Sequence, residues 1–196
     1  MSAAAILTII VLLVLAYAVL IYNKLITLRN RFKNSFSQID VQLQRRYELI
    51  PNLVEIAKAY MDHENQTLLA VTEARNGAKQ ACDSAAEYPE NSTLVDALAK
   101  AEGRLTNAMG KLSLVMEDYP ELKADERMAD LHEELTTTEN RVGFARQSYS
   151  DSVMRYNTAR EQFPAVIVAN LCAFREANLF EMANEDMAKP INVSFA

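Results

Sequence analysis

Hydrophobic and polar positions divide the chain into two patterns. Residues 4–22 read AAILTIIVLLVLAYAVLIY, with no charged side chain before Lys24. Nineteen uncharged residues in helical form span about 29 Å, close to the hydrocarbon thickness of about 30 Å. Tyr17 and Tyr22 lie toward the end of the run, where an aromatic belt belongs. Past Tyr22 the pattern becomes periodic. Leu25, Leu28, Phe32, Phe36, Ile39, Leu43, Tyr47, Ile50, Leu53, Ala57 and Tyr60 recur at steps of three or four, while Arg29, Lys33, Arg45 and Glu48 fall off this stripe. Pro51 lies inside the stripe without shifting its phase, so a kink is expected there rather than a loop. The periodicity predicts one helix from Lys24 to about Ala86, ended by the breaker-rich residues 87–92.

A second helix follows, with Leu94, Leu98, Ala101, Leu105, Ala108, Leu112, Val115 and Tyr119 alternating steps of four and three in a heptad seam. Ser92 or Thr93 can cap its start, and Pro120 suits the first turn of the next helix. A third helix is predicted from Glu121 to about Gln162, striped by Leu131, Leu135, Thr138, Val142, Ala145, Tyr149, Ser152, Tyr156 and Ala159. Pro164 opens a shorter helix with Ile167, Leu171, Phe174 and Asn178 on one face. The last residues lack helical period and are expected to be extended, with their apolar end docking on a neighbour. Short connections make successive helices antiparallel neighbours. The expected fold is therefore all-α: an N-terminal transmembrane helix (1–23), an elongated antiparallel bundle of three long helices and one short (24–183), and a non-helical tail (184–196).

Charge orients this picture. The formal net charge is -6, but residues 1–46 carry six basic side chains against the single acid Asp40. The remainder is acidic. An acidic bulk domain argues against nucleic acid as a partner, and the basic cluster beside the apolar run argues for membrane lipid. Lys24, Arg29, Arg31 and Lys33 follow a flank without basic residues, so the positive-inside rule places the bulk domain in the cytoplasm and the short N-terminus outside. Ala16-Tyr17-Ala18 resembles a signal-cleavage site. No Lys or Arg precedes the apolar core, however, and the run continues past that point, so a retained anchor is the better reading.

Candidate chemistry is sparse. His63-Glu64 and His132-Glu133 lack the second histidine four residues on that a zinc-protease helix needs, since Thr67 and Thr136 stand there. Cys82 and Cys172 form no disulfide framework and read as small hydrophobes. No phosphate-cradling loop or nucleophile elbow occurs. No catalytic residue, metal or cofactor is expected. Gly103 and Gly110, one heptad apart, could permit close helix approach.

The segment Tyr22-Asn23-Lys24-Leu25 with Arg29-Asn30, and the long block from Ser37 to Glu55 containing Arg45-Arg46-Tyr47-Glu48-Leu49-Ile50-Pro51-Asn52, resemble the LemA family. So do His63-Glu64, Ala74-Arg75, Glu117-Asp118-Tyr119-Pro120-Glu121-Leu122-Lys123, and Tyr156-Asn157 through Phe163-Pro164, in the same order. Ser150, where the family pattern has Asn, and residues 81–92 depart from it. The resemblance implies a bacterial inner-membrane protein with a short external N-terminus. It also implies a link, for some members, to membrane zinc metalloproteases of the HtpX type, and for one branch to organelle-like membrane compartments. Together these point to a non-enzymatic, membrane-anchored scaffold or adaptor that forms homo-oligomers larger than a dimer and presents a surface to another membrane protein. The interaction candidates are Arg45, Arg46, Glu48, Pro51, Asn52, His63 and Glu64. A ligand-sensing bundle of the receptor type is the alternative. It would need an output module beyond the bundle, and the sequence shows none.

Overall fold

The computed structural model describes residues 3–61 and 63–180. Its first helix, α1 (Ala3–Lys58), runs unbroken from the apolar segment into the folded domain. Side chains from Ile6 to Leu20 are exposed, apart from the half-buried Ala18, and burial begins at Ile21 and Leu25. This first part of α1 has the length and apolarity of one membrane span, with a mean hydropathy of 3.0 and none of it buried within the protein.

α1 passes through Pro51 without a loop. The predicted continuation to Ala86 does not occur. The chain leaves the helix after Lys58 and returns as α2 (Asn65–Glu87), antiparallel to α1. The turn buries Met61 and is tied by Tyr60, whose hydroxyl donates to Asp125 at 2.9 Å. No Gly or Pro lies between Lys58 and Asn65, and this long-range contact holds the chain just past the helix end. The bundle therefore contains four long elements rather than three.

α3 (Ser92–Met116) packs on α2, and its N-cap is Asn91, whose side chain accepts from the Thr93 amide at 3.1 Å. The predicted third helix is interrupted. A single turn, α4 (Pro120–Lys123), precedes α5 (Glu126–Glu161), which Asp125 caps by accepting from the Arg127 amide at 2.8 Å. α5 runs antiparallel to α1 and makes the most extensive packing in the molecule. Phe32 and Phe36 pack edge-on or tilted against Tyr149 and Tyr156, with ring centroids 5.1–6.4 Å apart.

The short helix α6 (Ala165–Leu171) ends seven residues before Asn178. Ala173 adopts φ 54°, and the Phe174 amide donates back to the Ala169 carbonyl at 2.9 Å. This αL stop turns the chain into an extended segment, so Phe174 and Asn178 do not share a helix face with Ile167 and Leu171. Phe174, Ala177 and Phe180 are buried along this segment, which is held by Tyr156 Oη on the Arg175 carbonyl, Tyr149 Oη on the Asn178 carbonyl, and paired Asn157–Ala177 hydrogen bonds. The expected extended tail (184–196) lies outside the described residues.

Candidate functional site

The family-like block of α1 is tied inward. Arg46 lies in the core with its side chain 5 % exposed, bonding Glu102 of α3 at 2.9 Å and Glu139 of α5 at 3.1 Å. The Tyr47 hydroxyl donates to the other Glu102 oxygen at 2.5 Å. Burial, and then the Glu102 carboxylate, push the Tyr47 phenol far above its ordinary value. A buried carboxylate is tolerable only when its lone pairs and charge are answered, and here a guanidinium and a phenol do both.

Pro51 has a partner in this arrangement. Proline carries no N–H, so the Tyr47 carbonyl four residues earlier loses its helical donor. Arg75 of α2 supplies it, donating Nε–H to the Tyr47 oxygen at 2.9 Å. The Ser37–Glu55 block and Ala74-Arg75, distant in sequence, meet at one carbonyl. Two turns below, Cys82 donates to Asp40 at 3.3 Å, and Gln44 bridges Asp40 and Asp83. Burial, and then Asp40, raise the Cys82 thiol well above its ordinary range.

The interaction candidates thus divide. Arg45 stays at the surface and pairs with Glu134 of α5. Glu48, Pro51 and Asn52 are exposed. His63 is exposed and Glu64 half-buried, both in the turn at the distal end of α1. Arg46 is internal, so it is not a surface probe. Sequence reasoning missed its partners. The signal for one existed: Glu102 falls four residues after Leu98 and three before Leu105, an acid on the apolar face of α3. Cys172, read as a small hydrophobe, is exposed, whereas Cys82 is buried. A Cβ at Gly110 would meet nothing within 4 Å, so no close helix approach occurs there.

Gly110 instead overlooks an opening. α5 flanks α1, whereas α3 packs on α2 and reaches α1 through Glu102, and beyond the Arg46–Glu139 contact α3 and α5 stand apart. Between them lies a groove of about 650 Å³ lined by Leu53, Met109, Leu112, Met116, Met128 and Leu135, with Glu117, Lys123, His132 and Glu139 at its polar margin. Among the described residues no cluster of His, Cys, Asp and Glu suited to a metal ion occurs. The groove is an apolar, methionine-rich surface, a composition that repacks around varied apolar partners.

Comparison with known proteins bears on what such a bundle is. The model of the LemA family matches residues 35–195, from the middle of α1 to near the end of the sequence. The chain belongs to the LemA family. Magnetosome protein MamQ of Magnetospirillum gryphiswaldense is 23% identical over 177 residues, covering 81% of this chain and 64% of that protein. Magnetosome proteins MamQ 1 and MamQ 2 of Paramagnetospirillum magneticum are each 25% identical over 175 residues, covering 82% of this chain and 64% of theirs. This LemA-family chain therefore spans just under two thirds of the length of the curated relatives it matches.

Proposed function

We propose that this LemA-family protein is a non-enzymatic, membrane-anchored adaptor whose distal groove receives an apolar helix of another membrane protein. One observation carries the reading. α1 is a single helix joining the apolar span to the groove floor at Leu53, about 46 Å beyond Tyr22 at 1.5 Å per residue. A rigid rod of this kind holds the groove at a fixed height above the bilayer, where a second membrane protein can present a helix. The basic flank supports placing the domain on the cytoplasmic side of the bacterial inner membrane. Family resemblance makes an HtpX-type membrane protease the first partner to test. The family and the relatives named magnetosome proteins support a membrane-associated helical protein of non-enzymatic type. Homo-oligomer formation through the apolar spans would gather several grooves at one height.

The test is a photocrosslinking residue at Met116, on the full chain in its native membranes. The reading expects one defined membrane protein to be captured there, to be lost when Gly110→Leu fills the groove, and not to be captured from the exposed Leu114. Capture of a second copy would replace the adaptor by pure self-assembly, and no protein at all would end the reading. The alternative, a ligand-sensing bundle, draws on the same groove, whose volume suits a small molecule. It predicts thermal stabilisation of the isolated protein by a metabolite pool, without any protein crosslink.

A further inference from the structure

The end of the domain nearest the apolar span carries an exposed hydrophobic face of its own. Ile167 and Leu171 of α6 lie four residues apart and are 58% and 85% exposed, and Phe163, in the turn before the helix, is 82% exposed. The opposite side of α6 is folded in, with Ala169 buried and Ala165 and Val168 packed against the core. α6 is thus amphipathic, with its apolar outer face uncovered by the protein.

Its height fixes what lies beside it. Tyr156 packs on Phe32 with ring centroids 5.1 Å apart, and α5 runs from there toward the span. Its five further residues reach about 7.5 Å, to the level of Thr27. α6 continues beyond and packs on both α1 and α5. Phe174, just past it, meets the Tyr22 ring edge-on at 5.5 Å and lies under the Arg29 guanidinium. α6 therefore flanks α1 where burial begins, at Ile21 and Leu25, the point at which the apolar span ends.

We propose that α6 is a second membrane contact, an interfacial helix whose Ile167 and Leu171, with Phe163 of the turn before it, enter the boundary between acyl chains and headgroups beside the anchor. This rests on the reading of residues 4–22 as a membrane span. Continuity with that span names lipid as the occupant, because a bilayer holding the span up to Tyr22 places its headgroup layer at α6. The surrounding charges fit. Lys24, Arg31, Arg155 and Arg175 are exposed around this end of the domain. Of the nearby acids, Glu161 and Glu176 pair with Arg160, and Glu90 pairs with Lys33. The net basic rim faces anionic headgroups, as interfacial helices require. Two contacts at one site also fix the tilt and rotation of α1, which a lone span leaves free.

Cys172, exposed next to Leu171, permits a test on the natural chain, because Cys82 is fully buried. The full-length protein would be labelled at Cys172 with an environment-sensitive fluorophore. It would then be reconstituted in phosphatidylethanolamine–phosphatidylglycerol vesicles carrying lipid nitroxides near the headgroup or at the acyl end. The proposal expects blue-shifted emission, with headgroup-level nitroxides quenching at least about twofold more than deep ones, as for insertion of about 5–10 Å. Ile167→Asp with Leu171→Asp, both at exposed positions, should abolish that quenching with helicity unchanged. A second label, at Leu12→Cys in a Cys172→Ser background, should be quenched by the deep nitroxide. Quenching at Leu12 with none at Cys172 overturns the proposal and leaves the anchor intact. Absence of both overturns the anchor reading and the proposal with it. Shielding of Cys172 that disappears when more lipid is added at constant protein shows a second copy on α6, and equally overturns the proposal.

Discussion

The space between α3 and α5 is treated in two ways along its length. In the half nearer the span, the chain fills it with its own extended segment: Phe180 is buried, Asn178 donates to Asp96 of α3, and Arg146 of α5 donates to the Phe180 carbonyl. At mid-height Arg46 draws both helices to α1 through Glu102 and Glu139. In the distal half nothing among the described residues replaces these contacts, and methionine and leucine side chains line an open groove. The same two helices are thus closed by specific polar contacts below and left apolar and open above. A bundle that needed only stability would have closed both halves, so the open half is where function is most economically sought.

The largest effect should come from breaking the tie between the two halves. Arg46→Ala leaves Glu102 buried beside a phenol alone, and breaking a buried pair in this way costs about 3–5 kcal/mol. Chemical denaturation in detergent measures it. Arg46→Met with Glu102→Leu should recover most of the loss, and if it does not, the pair has a role beyond mutual neutralisation. Next comes the filled half. Phe180→Ala should cost about 3 kcal/mol, whereas Met116→Ala in the open half should cost less than about 1 kcal/mol. Similar losses at the two positions would mean that the distal half is closed in solution.

A sharper test concerns Pro51. Arg75→Met removes the donor to the Tyr47 carbonyl and should cost about 1.5–3 kcal/mol. Pro51→Ala restores a helical N–H to that carbonyl, so Arg75→Met should cost about 1 kcal/mol less in the Pro51→Ala background. Additive losses would show that Arg75 acts by packing.

The smallest effect is a pH dependence. Cys82 and Tyr47 have raised proton affinity in the fold, from burial first and then from Asp40 and Glu102 respectively. The unfolded chain loses these protons above about 8.5 for a thiol and about 10 for a phenol, while the folded chain keeps them. The unfolded state then binds fewer protons, so stability is full below about pH 8.5 and falls as pH rises, by up to about 1.4 kcal/mol per pH unit for each group. The stability curves of the natural protein and Cys82→Ala should run parallel below about pH 8.5 and converge above it, because the variant lacks the thiol's share of the decline.

How far the sequence reveals this arrangement depends on the range of the interaction that decides each feature. The stripes from Leu25 to Leu53 and from Leu98 to Leu112 correspond to buried faces because helical burial follows a local period. The end of α1 at Lys58 was hidden: residues 58–65 contain neither Gly nor Pro, the stripe runs on through Tyr60, and the contact made just past the helix end is to the distant Asp125. The extended run after Ala173 was hidden as well, since Phe174 and Asn178 keep a helical spacing by coincidence and no glycine marks the stop. At the site, Arg45-Arg46 and Pro51-Asn52 stood out, but their meaning depended on Glu102, Glu139 and Arg75, which lie on other helices. The groove is a property of how α3 and α5 are spaced, and no single segment encodes it.

Methionine oxidation tests the central claim, an open distal groove that a partner covers. Met109 and Met116 lie half-buried in the groove, Met61 is fully buried, and Met154 is 52% exposed elsewhere. The measurement is the rate of sulfoxide formation under mild peroxide, compared between the purified full chain and the chain in its native membranes. The account predicts that Met109 and Met116 react in the purified protein and are several-fold protected in native membranes, with Met154 reacting alike in both and Met61 in neither. Equal reactivity of Met109 and Met116 in the two settings would contradict it.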